Sequence, residues 1–359
     1  MNLISAVSTY IPSASTLFAS VYTAEWALHI VENIRPNWNL NLYHKKSISK
    51  CPVEFQNKIA HIDQIKYKIC QQIGLPADRI QICLQANTII EAHGTSQKAI
   101  LGIGLELLSQ YQINKKIPQK EKISFQEFLK KLKLIPLLEV ENEVENMPSA
   151  QKRLALQDFL NQLPDNGDQI KEFIEALPAQ AQKGLFYLTK EYFLDLEEDE
   201  LGFLIAHEIA GHIKNNDSTT FGASTTLLNI GAYMGAEYIN SLWSFPGSSY
   251  AWHGIFYGLS HLCVLSVTGK RHEKRADAQA CAFGHAEGGT RYFKRLLATN
   301  LLKKQHGALH SFDSKGDYRF DYRHDPIYKR LACCLKDCSE DQSPILEAPY
   351  LKLTARNTT

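Results

Sequence analysis

The chain has almost no net charge, no paired-cysteine motif, no basic start and no long unbroken apolar run. Each absence removes a class of protein. Its 359 residues carry 39 Lys and Arg against 38 Asp and Glu, a formal charge of +1. A protein that holds nucleic acid through phosphate contacts needs a basic excess, so no nucleic-acid partner is expected. The eight cysteines contain no Cys-x-x-Cys pair, which argues against a zinc ribbon and a dithiol redox motif. Cys333, Cys334 and Cys338 cluster on a predicted helix, where small core residues are favoured over a metal set. Scattered thiols make the cytoplasm or another reducing compartment the default expectation. No Lys or Arg precedes Arg35, and the first 34 residues lack the positive start and clean apolar stretch of a secretory signal. No repeat or low-complexity run stands out.

Two stretches come near to being long apolar helices. Residues 219–242 contain Leu227, Leu228, Ile230 and Met234, and residues 250–268 contain Ile255, Phe256, Leu259 and Leu262. A spanning helix needs about 20 consecutive, predominantly apolar residues. Asn229, Glu237 and Asn240 interrupt the first stretch, and His253 and His261 the second. Both are therefore expected as buried core helices, with membrane association through 219–268 as the alternative.

What is present is concentrated in Leu204-Ile205-Ala206-His207-Glu208-Ile209-Ala210-Gly211-His212-Ile213. This reads as the zinc-binding helix of a metallopeptidase with one residue too many. The usual His-Glu-x-x-His pattern puts two imidazoles on one helical face, whereas here they are five residues apart. On an ideal α-helix, positions i and i+5 diverge by about 140°. A single π-type turn absorbs the extra residue, and the spacing predicts one at Ile209 to Gly211. Gly211 would tolerate the distortion and leave the approach to a metal open. Leu201, Phe203, Leu204, Ile205 and Ala206 make the preceding helix apolar, hence buried, and Asn215, Asn216 and Asp217 end it. A buried helix with two imidazoles and a carboxylate needs partners for them, and a metal supplies these at once. A hydrogen-bonded core histidine is the blander alternative.

A second motif follows at Arg271-His272-Glu273-Lys274-Arg275-Ala276-Asp277. Glu273 and Asp277 share a helical face. Glu273 can complete a His2Glu zinc set with a position left for water, and Asp277 can accept the free N–H of a ligating histidine. A solvated, charged helix start is the alternative.

With these residues quoted, the chain resembles the family of CAAX prenyl proteases and the bacterial heat-shock membrane protease. That resemblance rests on Asp199-Glu200-Leu201 through His212, on Glu273-x-x-Ala276-Asp277, and on His324-Asp325-Pro326 with Arg330. It extends to Gly74-Leu75-Pro76 and the hairpin-like 86–104. The His-Glu-x-x-Gly-His form is instead similar to the dipeptidyl peptidase III family, as is Glu273-x-Arg275-Ala276-Asp277. Both resemblances imply one zinc ion held by His207, His212 and Glu273, with Glu208 as general base. The first also implies His324 and Arg330 as donors to the oxyanion, with Tyr322 and Tyr328 as alternatives.

The implied fold is α+β and mostly helical, a gluzincin-like metallopeptidase with a small β-sheet beside the zinc helix and an inserted helical subdomain. Apolar positions at helical spacing predict a helix over 54–73, ended by Gly74. Strands are expected at 79–85, 88–93 and 98–104, a helix from 105, and a further strand at 184–188. Prolines 118, 136, 148, 164 and 178 punctuate 112–181 into short helices. The expected organisation is an N-terminal segment at 1–50, a discontinuous metallopeptidase domain at 51–111 and 182–340, a lid or docking insertion at 112–181, and a tail at 341–359. The expected function is a zinc-dependent metalloendopeptidase acting on a protein or peptide substrate. A non-proteolytic zinc amidohydrolase and a catalytically silent, zinc-stabilised binding protein are the alternatives.

Overall fold

Ile59, Ile62, Ile65, Ile69 and Ile73 fall on one face of a helix and are buried, and Val53–Ile73 is helix α1. It ends where expected, at Gly74, whose φ of 70° is the left-handed cap that glycine adopts without penalty. The computed structural model describes residues 16–24, 27, 42–43, 48, 51–85, 89–113, 123–245, 247–307 and 310–339. The expected tail at 341–359 and most of the N-terminal segment lie outside these residues.

Among the described residues, four strands form one sheet: β1 Leu42–Tyr43, β2 Ile80–Gln85, β3 Ile90–Thr95 and β4 Lys98–Gly104. Their order is β1-β2-β4-β3, with β2 and β4 parallel and the other pairs antiparallel. β3 is therefore an edge. Gly104 N donates to Ile89 O at 3.0 Å. Antiparallel alternation then turns the backbone groups of Ile90, Ala92 and Gly94 away from β4, towards the neighbouring helix.

Next come α2 Leu105–Gln110, α3 Phe125–Lys133, α4 Val140–Asn146, α5 Ser149–Gln162, α6 Gly167–Glu175 and α7 Ala179–Tyr192. Pro148 and Pro178 precede α5 and α7, where a proline costs no helical hydrogen bond. The strand expected at 184–188 is absent, because these residues lie within α7. A four-residue apolar run does not reveal its period. The deciding feature is tertiary: a Cβ at Gly184 would lie 2.3 Å from Leu132 Cδ1, so α7 packs closely on α3. Phe125, Phe128, Leu132, Leu156 and Phe159 join one contiguous core with Leu201, Phe203 and Ile205.

The second half is helical. Helix α8, Glu198–Ala206, runs on as a π-helical stretch at His207–Ile213. The hairpin of α9 Asp217–Leu242 and α10 Ser248–Cys263 follows, and α10 continues through a π-helical stretch, Val264–Gly269, into α11 Lys270–Ala280. A kink at Cys281–His285, with Gly284 at φ 89°, leads to α12 Ala286–Gln305. A loop then carries the chain to α13 Ile327–Ser339.

The expectation of buried core helices at 219–242 and 250–268 is overturned. α9 and α10 pack on each other, but Leu227, Met234 and Leu259 are 71%, 66% and 57% exposed. The apolar residues counted as core point outward, and small or polar ones point inward. Among the described residues, no helix is long and apolar enough to cross a membrane. The architecture is thus α+β and mostly helical, with the sheet against the zinc-motif helix.

Candidate metal centre

The site is built on α8, whose position is pinned at its start. Glu197 and Glu200 form a capping box, and Glu200, 1% exposed, takes both Arg295 Nε and Nη2 at 2.8 Å. Such a bidentate pair fixes orientation as well as charge.

The expected π-type turn is present and spans His207–Ile213. Lys214 N donates to Ile209 O at 2.9 Å, an i to i−5 bond. Asn215 Nδ2 donates to Ala210 O and Gly211 O at 3.0 and 2.7 Å, occupying carbonyls at the end of the stretch. His207 and His212 converge in spite of their spacing, with Nε2 atoms 3.2 Å apart. Gly211 serves another purpose than expected. A Cβ there would lie 2.2 Å from Ala276 Cβ and 2.6 Å from Ala276 Cα, so the missing side chain admits α11.

That close approach delivers the second motif. Glu273 Oε2 is 3.2 Å from His207 Nε2, and Oε1 is 3.7 Å from His212 Nε2. In a tetrahedral zinc site with bonds of about 2.0–2.1 Å, neighbouring donor atoms lie about 3.3 Å apart. The three donors fit that ion. Glu208 also brings an oxygen within 4.8 Å of the two imidazoles. Its Oε2, however, accepts from Ala92 N on the outward side of β3 at 2.8 Å. The closer approach of Glu273 to both rings makes Glu273 the better third ligand.

The far sides of the imidazoles are also held. His207 Nδ1 lies 2.9 Å from Asp277 Oδ1, and Arg330 donates to the same carboxylate from Nε and Nη2 at 2.6 and 2.8 Å. His212 Nδ1 lies 3.0 Å from Asp217 Oδ2, and Arg275 pairs with the other oxygen. In the metal-free protein, burial opposes the charged form of His207. Asp277 and Glu273 outweigh it and push the imidazole up to about 10. Burial likewise opposes the Glu273 anion, but His207, His324 and Arg323 hold it far below the usual carboxylate range. Asp277 is held at about 2 because Arg330 and His207 overcome its burial.

His324 Nε2 reaches Glu273 Oε2 at 3.2 Å, and Asp321 holds its Nδ1 at 2.8 Å. Burial disfavours its charge, yet Asp321 and Glu273 raise its pKa. Arg330 is occupied by Asp277 and stacks over Phe293, 4.7 Å to the ring centre. Tyr328 has Lys315 over its ring at 4.6 Å, and neither it nor Tyr322 is among the residues lining the cleft. His261 bonds to Tyr257 O, and His272 sits 3.6 Å from Asp217, so neither joins the donor triangle.

Sequence reasoning missed two residues. Asp217, expected only as a helix stop, lies one π-turn past His212 and faces that ring. Arg323, half-exposed, places Nε 2.7 Å from Glu273 Oε1, and no spacing rule announces it. The centre opens into a cleft of about 1100 Å³, walled by β3 from Ile89 to His93 and by the loop carrying Arg319 and His324.

Donors at ion-ligand spacing, both imidazoles backed by a carboxylate and the set open to a cleft, belong to a metal-dependent hydrolase. Residues 173–321 match the family model of peptidase family M48, a match that supports a zinc metallopeptidase over this span. The match includes His207, Glu208, His212, Glu273 and Asp277 and ends before His324 and Arg330. No curated protein and no solved structure gave a match.

Proposed function

We propose that the chain is a metalloendopeptidase of the gluzincin type, with His207, His212 and Glu273 as zinc ligands and Glu208 as general base. The observation that carries this reading is the convergence of His207, His212 and Glu273 at 3.2–3.7 Å, with the Glu208 carboxylate beside them. Zinc bound there would acidify a water molecule and polarise the scissile carbonyl. Glu208 takes the proton of the attacking water and delivers it to the leaving amine. Asp277 and Asp217 fix the tautomers and orientations of the two imidazoles. His324, whose charged form Asp321 and Glu273 favour, donates to the oxyanion. Arg330 acts one step back, by orienting Asp277.

An extended peptide would add to the outward side of β3 by strand pairing. Of the strands expected from sequence, 98–104 forms β4 inside the sheet and 184–188 is helical, so neither offers a free edge. Ala92 N already donates to Glu208 Oε2, so a peptide on β3 would pair with the neighbouring outward groups, beside the base.

Metal analysis and terminal mapping of cleaved peptides together test the proposal. The wild type should carry about one zinc, and His207→Ala, His212→Ala and Glu273→Ala should each lose most of it. Glu208→Gln should keep the zinc and lose cleavage by about 10²–10⁴-fold. Full zinc in the His212 variant would overturn the ligand set, and undiminished cleavage by Glu208→Gln would overturn the base. A wild type that holds zinc and produces no new peptide termini would favour the amidohydrolase or silent-binding readings.

A further inference from the structure

The cleft is unevenly paired. Its acids are mostly committed: Glu208 to Ala92 N, Asp217 to His212 and Arg275, Asp321 to His324, and Glu273 to His207 and His324. Asp313 accepts from Lys315 N and Asp317 N at 2.8 and 3.0 Å, and Asp317 from Ile327 N at 2.6 Å. Glu91 of β3 lies 3.5 Å from His93 Nε2. Of the carboxylates that line the cleft, Asp325 alone has no partner among the described residues.

The cations are less engaged. Lys270 lines the cleft and makes no ion pair or side-chain hydrogen bond among the described residues. Arg319 uses only Nε, donating to Phe312 O at 3.1 Å. Arg323 faces Glu273 Oε1 through Nε at 2.7 Å, and its terminal nitrogens donate to nothing among the described residues. A guanidinium carries five N–H donors in a fixed fork, so most of the fork of Arg323 is open.

Of the three, Arg323 is the one fixed beside the metal centre. Its backbone N donates to Asp321 Oδ1 at 3.1 Å, and the same carboxylate holds His324 Nδ1, so one turn sets both side chains. Its stem is seated on Gly269, at the lead-in to α11, where a Cβ would stand 3.2 Å from Arg323 Cγ. The guanidinium is held at a ligand carboxylate while 52% of the side chain stays exposed. When Glu273 takes a metal, its charge is shared with the ion, and Arg323 is left short of an anion. Like charges in contact repel, and a carboxylate that meets the fork through two parallel hydrogen bonds relieves this.

We propose that Arg323 is a specificity-determining residue that receives a carboxylate of the substrate, so that the cleft selects acidic peptides. The proposal rests on the metallopeptidase reading above. An extended chain advances about 3.3 Å per residue, which places the acid within about two residues of the scissile bond. Lys270 and Arg319 extend the same preference along the cleft. A side-chain carboxylate suits internal cleavage, and a terminal one would make the enzyme trim chain ends.

The test titrates zinc-loaded Glu208→Gln protein, which binds without cutting, with labelled peptides read by fluorescence anisotropy. The peptides are an amidated one with a central glutamate, its glutamine twin, and that twin with a free C-terminus. The glutamate peptide should bind about 10–100-fold more tightly than its amidated twin, and the difference should shrink at high salt. Adding Arg323→Gln should bring the two to one affinity, Arg323→Lys should keep part of the difference, and Arg323→Glu should favour a lysine peptide instead. Zinc content and thermal unfolding are measured for each variant. Should a change at 323 release the zinc, the wild type supplies a second reading: zinc-loaded and given a mixed peptide library, it should leave Asp or Glu enriched within two positions of the new termini. Equal affinity for the amidated twins, or cleavage without that enrichment, overturns the proposal and leaves the peptidase reading standing. Absent cleavage with an Arg323-dependent preference for glutamate supports the acidic-peptide site and overturns the peptidase reading. Preference for the free C-terminus alone supports Arg323 as the carboxylate receptor and assigns the carboxylate to the chain end.

Discussion

Replacing Gly211 by alanine adds one methyl group at the tightest point of the site. That carbon would stand 2.2 Å from Ala276 Cβ and 2.6 Å from Ala276 Cα. Carbon atoms rest at about 3.5–4.0 Å, so α11 and the π-helical stretch must separate by about 1 Å. Ala276 lies between Glu273 and Asp277, and the separation carries both acids away from His207 and His212. Overpacking of this kind costs about 1–3 kcal/mol of stability. The effect on metal should be larger, because ligand distances are tolerated only within about 0.2 Å. Zinc affinity should fall on the order of 100-fold, read by competition with a chromophoric chelator, and the metal-free variant should melt at a lower temperature. Adding Ala276→Gly removes the nearest atom and should restore part of both losses, a coupling expected of residues in contact. If Gly211→Ala binds zinc as tightly as the wild type, the close approach of α11 does not hold the ligand set together.

Three further outcomes are expected. Asp217→Asn should lower zinc affinity about 10–100-fold while leaving the fold intact, because it removes the anion behind His212; chelator titration and a melting curve check both halves. His207 is cationic at neutral pH in the metal-free protein, and its proton must leave for zinc to bind. Apparent affinity should therefore rise by up to about tenfold per pH unit from 7 towards 10, and a flat profile would contradict the pairing with Asp277 and Glu273. The Asp277 carboxyl is depressed to about 2. Its contribution to stability, about 2 kcal/mol, is complete above the ordinary carboxylate range and should be lost as pH falls towards 2 in acid unfolding of the metal-free protein.

The legible part of the site was the part written in short spacings. His207, Glu208 and His212 announce themselves within six residues, and Glu273 and Asp277 within five. The π-type turn followed from geometry, since two imidazoles five apart meet no other way on a helix. α1 was legible because five isoleucines mark its buried face over several turns. The remainder depends on tertiary partners. Arg323 reaches Glu273 only after the loop before α13 has folded across the cleft. Gly184-Leu185-Phe186-Tyr187-Leu188 suits a strand by composition, yet Gly184 is the flat spot against which Leu132 packs. The hairpin misled for a chemical reason. Counting apolar residues assumes that they face inward, and on α9 and α10 they face out.

The hairpin also divides the site in the order of synthesis. His207 and His212 are made before it and Glu273 after it, so no ligand set exists until the chain has gone out and come back. Joining residues 212 and 273 in an unfolded chain has a length-dependent entropy cost of about 4 kcal/mol. In the folded chain the α9–α10 pairing has already brought those ends together. On the proposed ligand set, metal uptake would follow formation of the hairpin, and zinc would clasp a loop whose closure the hairpin performs. Any condition that keeps α9 and α10 apart separates the histidines from their glutamate, however well the rest of the protein is folded.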